Sequence, residues 1–382
     1  MMKRKNVLLR KIMLLACVLI LTVSIVSAAE AMPLAAQPLS TGVTVDIKTA
    51  DKTVQLDNAG LPAKPVPVST EKKIGINLAS RILILYEGST KIRMYPVGVG
   101  KTTTPTPTGF YYVQNKEMDP TWIDPDDTSI RIPSGPENPL GYRWIGFYGT
   151  YGIHGTNRPG TVGSYVSNGC VRMHEEDVED LYPLVRVGTP VTVYYDRIVI
   201  DSAPDHTVAY YIYPDGYGWQ QVSVQDVKKA LAGYGVENFA EAPAIAAKIS
   251  ASDGLPAYVA KAYDLIVDGR RLSQRALEKD GIMYVPAVSV ATALRLDLHW
   301  NGSGRVLTSP YGTAPGIVKS DVVYVKGTDA AALFHVMGQL TSDLQYVMVS
   351  VRQNVSEDKG PQKKTEPASA VPVKQQTKQK TA

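Results

Sequence analysis

The chain has 382 residues, 44% hydrophobic and 20% charged, an ordinary globular balance that can bury more than one core and confines disorder to segments. The formal charge is +4, yet Lys3, Arg4, Lys5, Arg10 and Lys11 supply five positive charges within residues 1–28, which hold no acid, so the chain without them sums to −1. That balance offers no basic face and excludes a nucleic-acid partner.

Those charges precede an apolar run from Ile12 to Ala29 that ends in small residues, the pattern of an export signal. Cleavage fits after Ala28 or after Ala31, and either cut removes Cys17. The apolar stretch between Lys11 and Cys17 is short for a lipid-modified cysteine. An uncleaved anchor is the alternative, because 18 residues sit at the lower edge of a bilayer span. Both readings export the remainder to the periplasm or cell wall, with membrane contact only through the N-terminal segment if it stays uncleaved. Residues 1–31 are read as the signal peptide and 32–71, rich in Ala, Pro, Thr and Lys, as a linker with one short strand.

From Lys73 the texture becomes β-like, with runs at Lys73–Leu78, Arg81–Tyr86 and Lys91–Val99, and Glu87-Gly88 marks a hairpin between the last two. Further runs stand at Gly109–Val113, Tyr142–Tyr148 and Pro190–Tyr195. A helix is predicted over Glu175 to about Leu184, with Glu175, Glu176 and Asp177 where the positive end of the helix dipole favours acids. The expected fold is a mainly β domain, a sandwich or barrel, followed by a C-terminal α+β domain.

An exported protein normally pairs its cysteines, but Cys170 stands alone once Cys17 is gone. A lone thiol outside the cell points either to chemistry or to a buried structural cysteine, and its neighbours decide. They are Tyr151-Gly-Ile-His154-Gly155, a glycine-bearing loop, then Ser167-Asn168-Gly169-Cys170-Val171-Arg172. His154 can take the thiol proton, provided an acceptor fixes its other ring nitrogen, and no Asp or Glu lies within the motif. Gly169 lets the backbone amides of Gly169 and Cys170 approach a developing oxyanion.

This stretch resembles the L,D-transpeptidase (YkuD-type) catalytic domain, as do Thr106-Pro107-Thr108-Gly109 and Asn138-Pro139-Leu140-Gly141 followed by Arg143-Trp144. The resemblance spans about residues 72–198. It implies peptidoglycan stem peptides as substrate, no cofactor and no metal. Cys170 would be the nucleophile, His154 the base, the Gly155 carbonyl its orienting acceptor, Gly169 part of the oxyanion site and Arg172 a brace. Ser167, Asn168, Asn157 and Trp144 would meet substrate, and carbapenem-type inhibitors would acylate the thiol. Asn168 departs from many members, which carry a second histidine there. The implied reaction expels D-alanine from a tetrapeptide stem and passes the acyl group to an amine, giving a 3→3 cross-link. Water as acceptor would make an L,D-carboxypeptidase. A sortase-like cysteine transpeptidase and an inactive wall-binding module are the rival readings. A zinc site of His154, Cys170 and His174 fits no standard spacing, and His174 is read as the start of the helix.

Residues 199–261 read as a connector: a strand at Val208–Tyr213, a turn at Pro214-Asp215-Gly216, and helices from Asp226, Ala242 and Pro256. In 262–352, Tyr284-Val285 with Ala291, Ala293 and Leu294 is echoed by Tyr324-Val325 with Ala331 and Leu333, the tyrosines 40 residues apart, two strand–helix halves. Val267-Asp268-Gly269, Gly281–Pro286 and Leu298-His299-Trp300-Asn301 resemble the copper amine oxidase N-terminal-like domain, an accessory module. With His299 and His335 its only histidines, no copper site is expected. The tail, 353–382, is expected to be disordered.

Overall fold

The computed structural model describes residues 44–47 and 70–351. The signal peptide, most of the linker and the tail, with the expectations attached to them, lie outside the described residues. Within the linker, Thr44–Ile47 is a strand that pairs antiparallel with Leu298–Asn301.

The first module is built on two sheets. Ile74 and Ile76 alternate along Lys72–Asn77 and are buried, so that strand turns one face to a core and pairs with Ile82–Glu87 through Ile74↔Leu85 and Ile76↔Leu83. Gly88 takes the left-handed conformation (φ 59°) in the tight turn to Thr90–Pro96, which only glycine does without strain. Pro190–Tyr194 returns from the far end of the module to lie parallel to Lys72–Asn77, and Gly109–Tyr112 closes that sheet as its edge. The second sheet runs in the order Val171–Arg172, Tyr151–His154, Arg143–Tyr148, Asn115–Met118. Ile145, Phe147, Ile153 and Val171 from it meet Leu83, Leu85, Val191 and Val193 from the first in one apolar core. Truncating Phe147 to alanine there is worth about 3–5 kcal/mol.

Helix Glu175–Leu184 begins with the three expected acids and lays Val178 and Leu181, three residues apart and fully buried, onto that core. Pro183 lacks the amide for another turn, and Val185 is already extended.

Beyond Tyr195 a nine-stranded sheet begins at Ile198–Ser202 and Thr207–Ile212. Helices Val224–Ala232 and Ala242–Ala251 follow, the first closed by a reciprocal cap between Ser223 and Asp226. The helix expected from Pro256 is instead the start of an eleven-residue strand, Ala257–Val267. Its first half pairs with Thr207–Ile212 and its second with Gln345–Ser350, while Arg270–Lys279 pairs along its length. Ladder bonds on both edges, with Tyr263, Leu265 and Val267 buried at every second position, outweigh the helical preference of its alanines. This strand also carries the sheet across position 262, where connector and accessory segments were divided.

The internal echo is a repeated hairpin and helix. Strand Ile282–Pro286 leads to helix Ala287–Leu294, and strand Val322–Lys326 leads to helix Gly327–Phe334. The two strands pair antiparallel about Val285↔Val325. The turns before them use left-handed Asp280 (φ 54°) and Ser320 (φ 52°), and the helices stop at left-handed Arg295 (φ 57°) and His335 (φ 54°). Among the described residues no helix is long and apolar enough to cross a membrane.

Candidate active site

The site is laid out by one parallel strand pair. Tyr151–His154 and Val171–Arg172 register as Ile153↔Val171 and His154↔Arg172. Ile153 and Val171 are fully buried in the core, so by strand alternation His154 and Arg172 project from the opposite face. Cys170 stands one residue before that register. Its Sγ lies 3.6 Å from the Thr150 carbonyl and takes a hydrogen bond from the Gly152 backbone, two residues before His154 on the same strand. The thiol is thus anchored on the backbone of the segment that runs into His154.

His154 is 4% exposed, with Nδ1 2.7 Å from the carbonyl oxygen of Gly155. A carbonyl can only accept, so Nδ1 carries the proton and Nε2 is the free acceptor. Trp144 stacks on the ring at 5.8 Å and anchors its own Nε1 by donating to Asn115 Oδ1 at 2.9 Å. Burial drives the imidazole pKa down to about 4; the Gly155 bond opposes the shift and the Arg172 charge adds to it. Burial likewise pushes the Cys170 thiol up, against the Gly152 hydrogen bond and Arg172. Burial therefore favours the neutral form of each group, the unprotonated imidazole and the protonated thiol.

Gly152 has no side chain because a Cβ there would stand 2.5 Å from the Trp144 ring. Gly152→Ala is expected to push Trp144 off His154 and to lower stability by about 1–3 kcal/mol. A urea titration and tryptophan fluorescence check it, and unchanged midpoint and emission would show that the ring has room to move.

The loop before Cys170 is held by its own hydrogen bonds. Ser167, 2% exposed, donates to the Cys170 carbonyl at 2.5 Å and accepts from the Gly169 amide at 3.1 Å, so it shapes the turn and is closed to a substrate. The same bond commits the Gly169 amide to the Ser167 hydroxyl inside the turn. Gly169 itself is required by its backbone: φ is 115°, and a Cβ would meet the Tyr151 ring at 2.3 Å.

Asn168 is exposed at the tip of the turn. Asn157 is exposed too, and its amide donates to the Glu137 carbonyl at 2.9 Å, tying two loops together. Trp144 faces His154 as its stacking partner. Arg172 exchanges both backbone bonds with Gly98 at 2.8 Å and reaches Thr161 Oγ1 at 3.4 Å, while its buried Nε has no partner among the described residues. Thr106 and Asn138, from the two outlying motifs, are fully buried and hold loops: Thr106 Oγ1 accepts from Gly100 N, and Asn138 bonds Pro120, Ile132 and Leu140.

Two contributors were missed in the sequence. Tyr217, from the connector, donates to the Gly100 carbonyl at 2.6 Å and packs on Tyr165, in the strand Tyr165–Ser167 that feeds the cysteine loop. Glu175 binds the Tyr142 amide at 2.7 Å and the Thr156 amide at 3.3 Å. Its place among three helix-opening acids gave no hint of this.

Residues 71–193 match the family model described as the YkuD, L,D-transpeptidase catalytic domain. YkuD of Bacillus subtilis is 36% identical over 134 residues, 35% of this chain and 72% of that protein. YqjB of the same organism is 46% identical over 111 residues, 27% of this chain and 60% of that protein. Among solved structures, the catalytic domain of an E. faecium L,D-transpeptidase covers 32% of this chain and 97% of its own at 29% identity, with a TM-score of 0.28. The chain belongs to the YkuD-type L,D-transpeptidase family, a membership that rests on the sequence matches.

Proposed function

We propose that this protein is a cysteine-dependent acyltransferase that rebuilds peptidoglycan stems. Cys170 loses its proton to His154 Nε2 as sulfur attacks the carbonyl of the third, L-configured residue of a tetrapeptide stem. The Cys170 amide stabilises the oxyanion. The bond to D-alanine then breaks, His154 returns the proton to the departing amine, and a thioester remains on sulfur. An amine of a second stem attacks that thioester, loses its proton to His154 and restores the thiol, leaving a 3→3 cross-link.

The observation that carries this reading is the anchoring of the Cys170 thiol on the backbone that leads into His154, with His154 Nδ1 committed to the Gly155 carbonyl. Asn168, exposed two residues before Cys170, would meet the stem, and Arg172 would brace the turn through its bonds to Gly98 and Thr161. The N-terminal segment exports the chain to the periplasm or cell wall, where such stems lie. Residues 262–352, read as the copper amine oxidase N-terminal-like module, attach it to the wall. Carbapenem-type compounds acylate the same sulfur.

Incubating the full chain with disaccharide-tetrapeptide and analysing products by mass spectrometry tests the proposal. It predicts free D-alanine and a cross-linked dimer. Tripeptide as the sole product would replace cross-linking by carboxypeptidase action, and no product from folded protein would favour a wall-binding module.

A further inference from the structure

The carbonyl of Gly155 and the amide of Thr156 are the two ends of one peptide group. In a planar trans peptide they point in opposite directions, so whatever grips one end aims the other. The carbonyl end lies 2.7 Å from His154 Nδ1, and the amide end donates to Glu175 Oε2 at 3.3 Å. The second oxygen, Oε1, accepts from the Tyr142 amide at 2.7 Å.

The fit around this carboxylate is tight. A Cβ on Gly155 would fall 2.2 Å from Oε2, and one on Gly141 would fall 2.1 Å from the same oxygen. Only glycine at both positions admits the carboxylate between the two loops. An acid serving the helix dipole alone needs no such cradle and no amide partners from other loops. Arg143 and Glu179 are the charged groups that face Glu175, and Arg143 is paired to Glu179 at 2.8 Å. Arg172 is the charge that faces His154.

We propose that Glu175 is a positioning residue of the active site: by holding the Thr156 and Tyr142 amides it aims the Gly155 carbonyl at His154 Nδ1 and keeps the imidazole in the tautomer whose Nε2 is free. The inference rests on His154 serving as the base for Cys170.

The test compares the full chain with Glu175→Gln and Glu175→Asp. Glutamine keeps the shape but sets an NH2 group against one of the two amide donors, and aspartate is one methylene too short to span both. At pH 7, nitrogen-15 spectra of His154 should show the proton on Nδ1 in the parent chain and a mixture of tautomers in each variant. The kcat on disaccharide-tetrapeptide should fall by about 100-fold, the scale for a misplaced catalytic group, with KM within about twofold. A variant with reduced thermal stability but the parental tautomer and kcat would overturn the proposal, leaving Glu175 a stabiliser only. In the parent chain, which avoids any folding defect, the Thr156 and Tyr142 amides should exchange slowly with deuterium; rapid exchange at Thr156 would also overturn it. Failure of the underlying reading would show separately, as turnover surviving in Cys170→Ala.

Discussion

Cys170→Ala is expected to lower turnover of disaccharide-tetrapeptide by about 10⁴-fold or more, because removing the nucleophile of a covalent mechanism removes the pathway and not merely a contact. The fold should survive the change. Cys170 sits in a turn held by Ser167 and Gly169 through backbone and hydroxyl bonds, none of which uses the sulfur. Its thiol also starts protonated, since burial raises its pKa. Alkylation by iodoacetamide should therefore be slow at pH 7 and accelerate only at pH values above the ordinary thiol range of about 8.5. Rapid labelling at pH 6 would reveal a preformed thiolate and contradict the neutral pair.

His154→Gln is expected to cost about 10²- to 10⁴-fold in kcat, the range for a lost general base. The parent enzyme should show its acid limb near pH 4, because the buried imidazole titrates at about 4 and stays unprotonated above that. The same shift makes a stability prediction of definite sign. The unfolded imidazole binds a proton near pH 6.5 and the folded one only near 4. The contribution is thus complete above pH 6.5 and is lost as pH falls towards 4, on the order of 3 kcal/mol in all. Urea titrations at pH 7 and pH 4.5 should show the parent weakening more than the glutamine variant. Equal slopes would mean that the imidazole is solvated in the native state.

The parts of the molecule written in short-range pattern were legible. Alternation gave the strands around Ile74, Leu83 and Val191, the Glu87-Gly88 dipeptide gave its hairpin, and acids before Val178 and Leu181 gave the helix. The recurrence at 40 residues appeared in space as paired strands centred on Val285 and Val325. What failed depended on partners distant in sequence. Pro256–Ala262 looks helical alone and instead opens the strand Ala257–Val267, because Thr207–Ile212, Arg270–Lys279 and Gln345–Ser350 hydrogen-bond to it. At the site, the motif named candidate residues but not their hydrogen-bond partners. Ser167 and the Gly169 amide satisfy each other, and Glu175 acts on loops 33 and 19 residues away. A carboxylate's second and third neighbours leave no period in the sequence.

The direct measurement of the central claim is the mass of the protein itself, quenched in acid during turnover of disaccharide-tetrapeptide and digested. The stem minus D-alanine should be found as a thioester on the peptide that contains Cys170, and in His154→Gln it should accumulate far more slowly. Product forming while that peptide stays unmodified, or acyl mass on a different residue, would contradict the account.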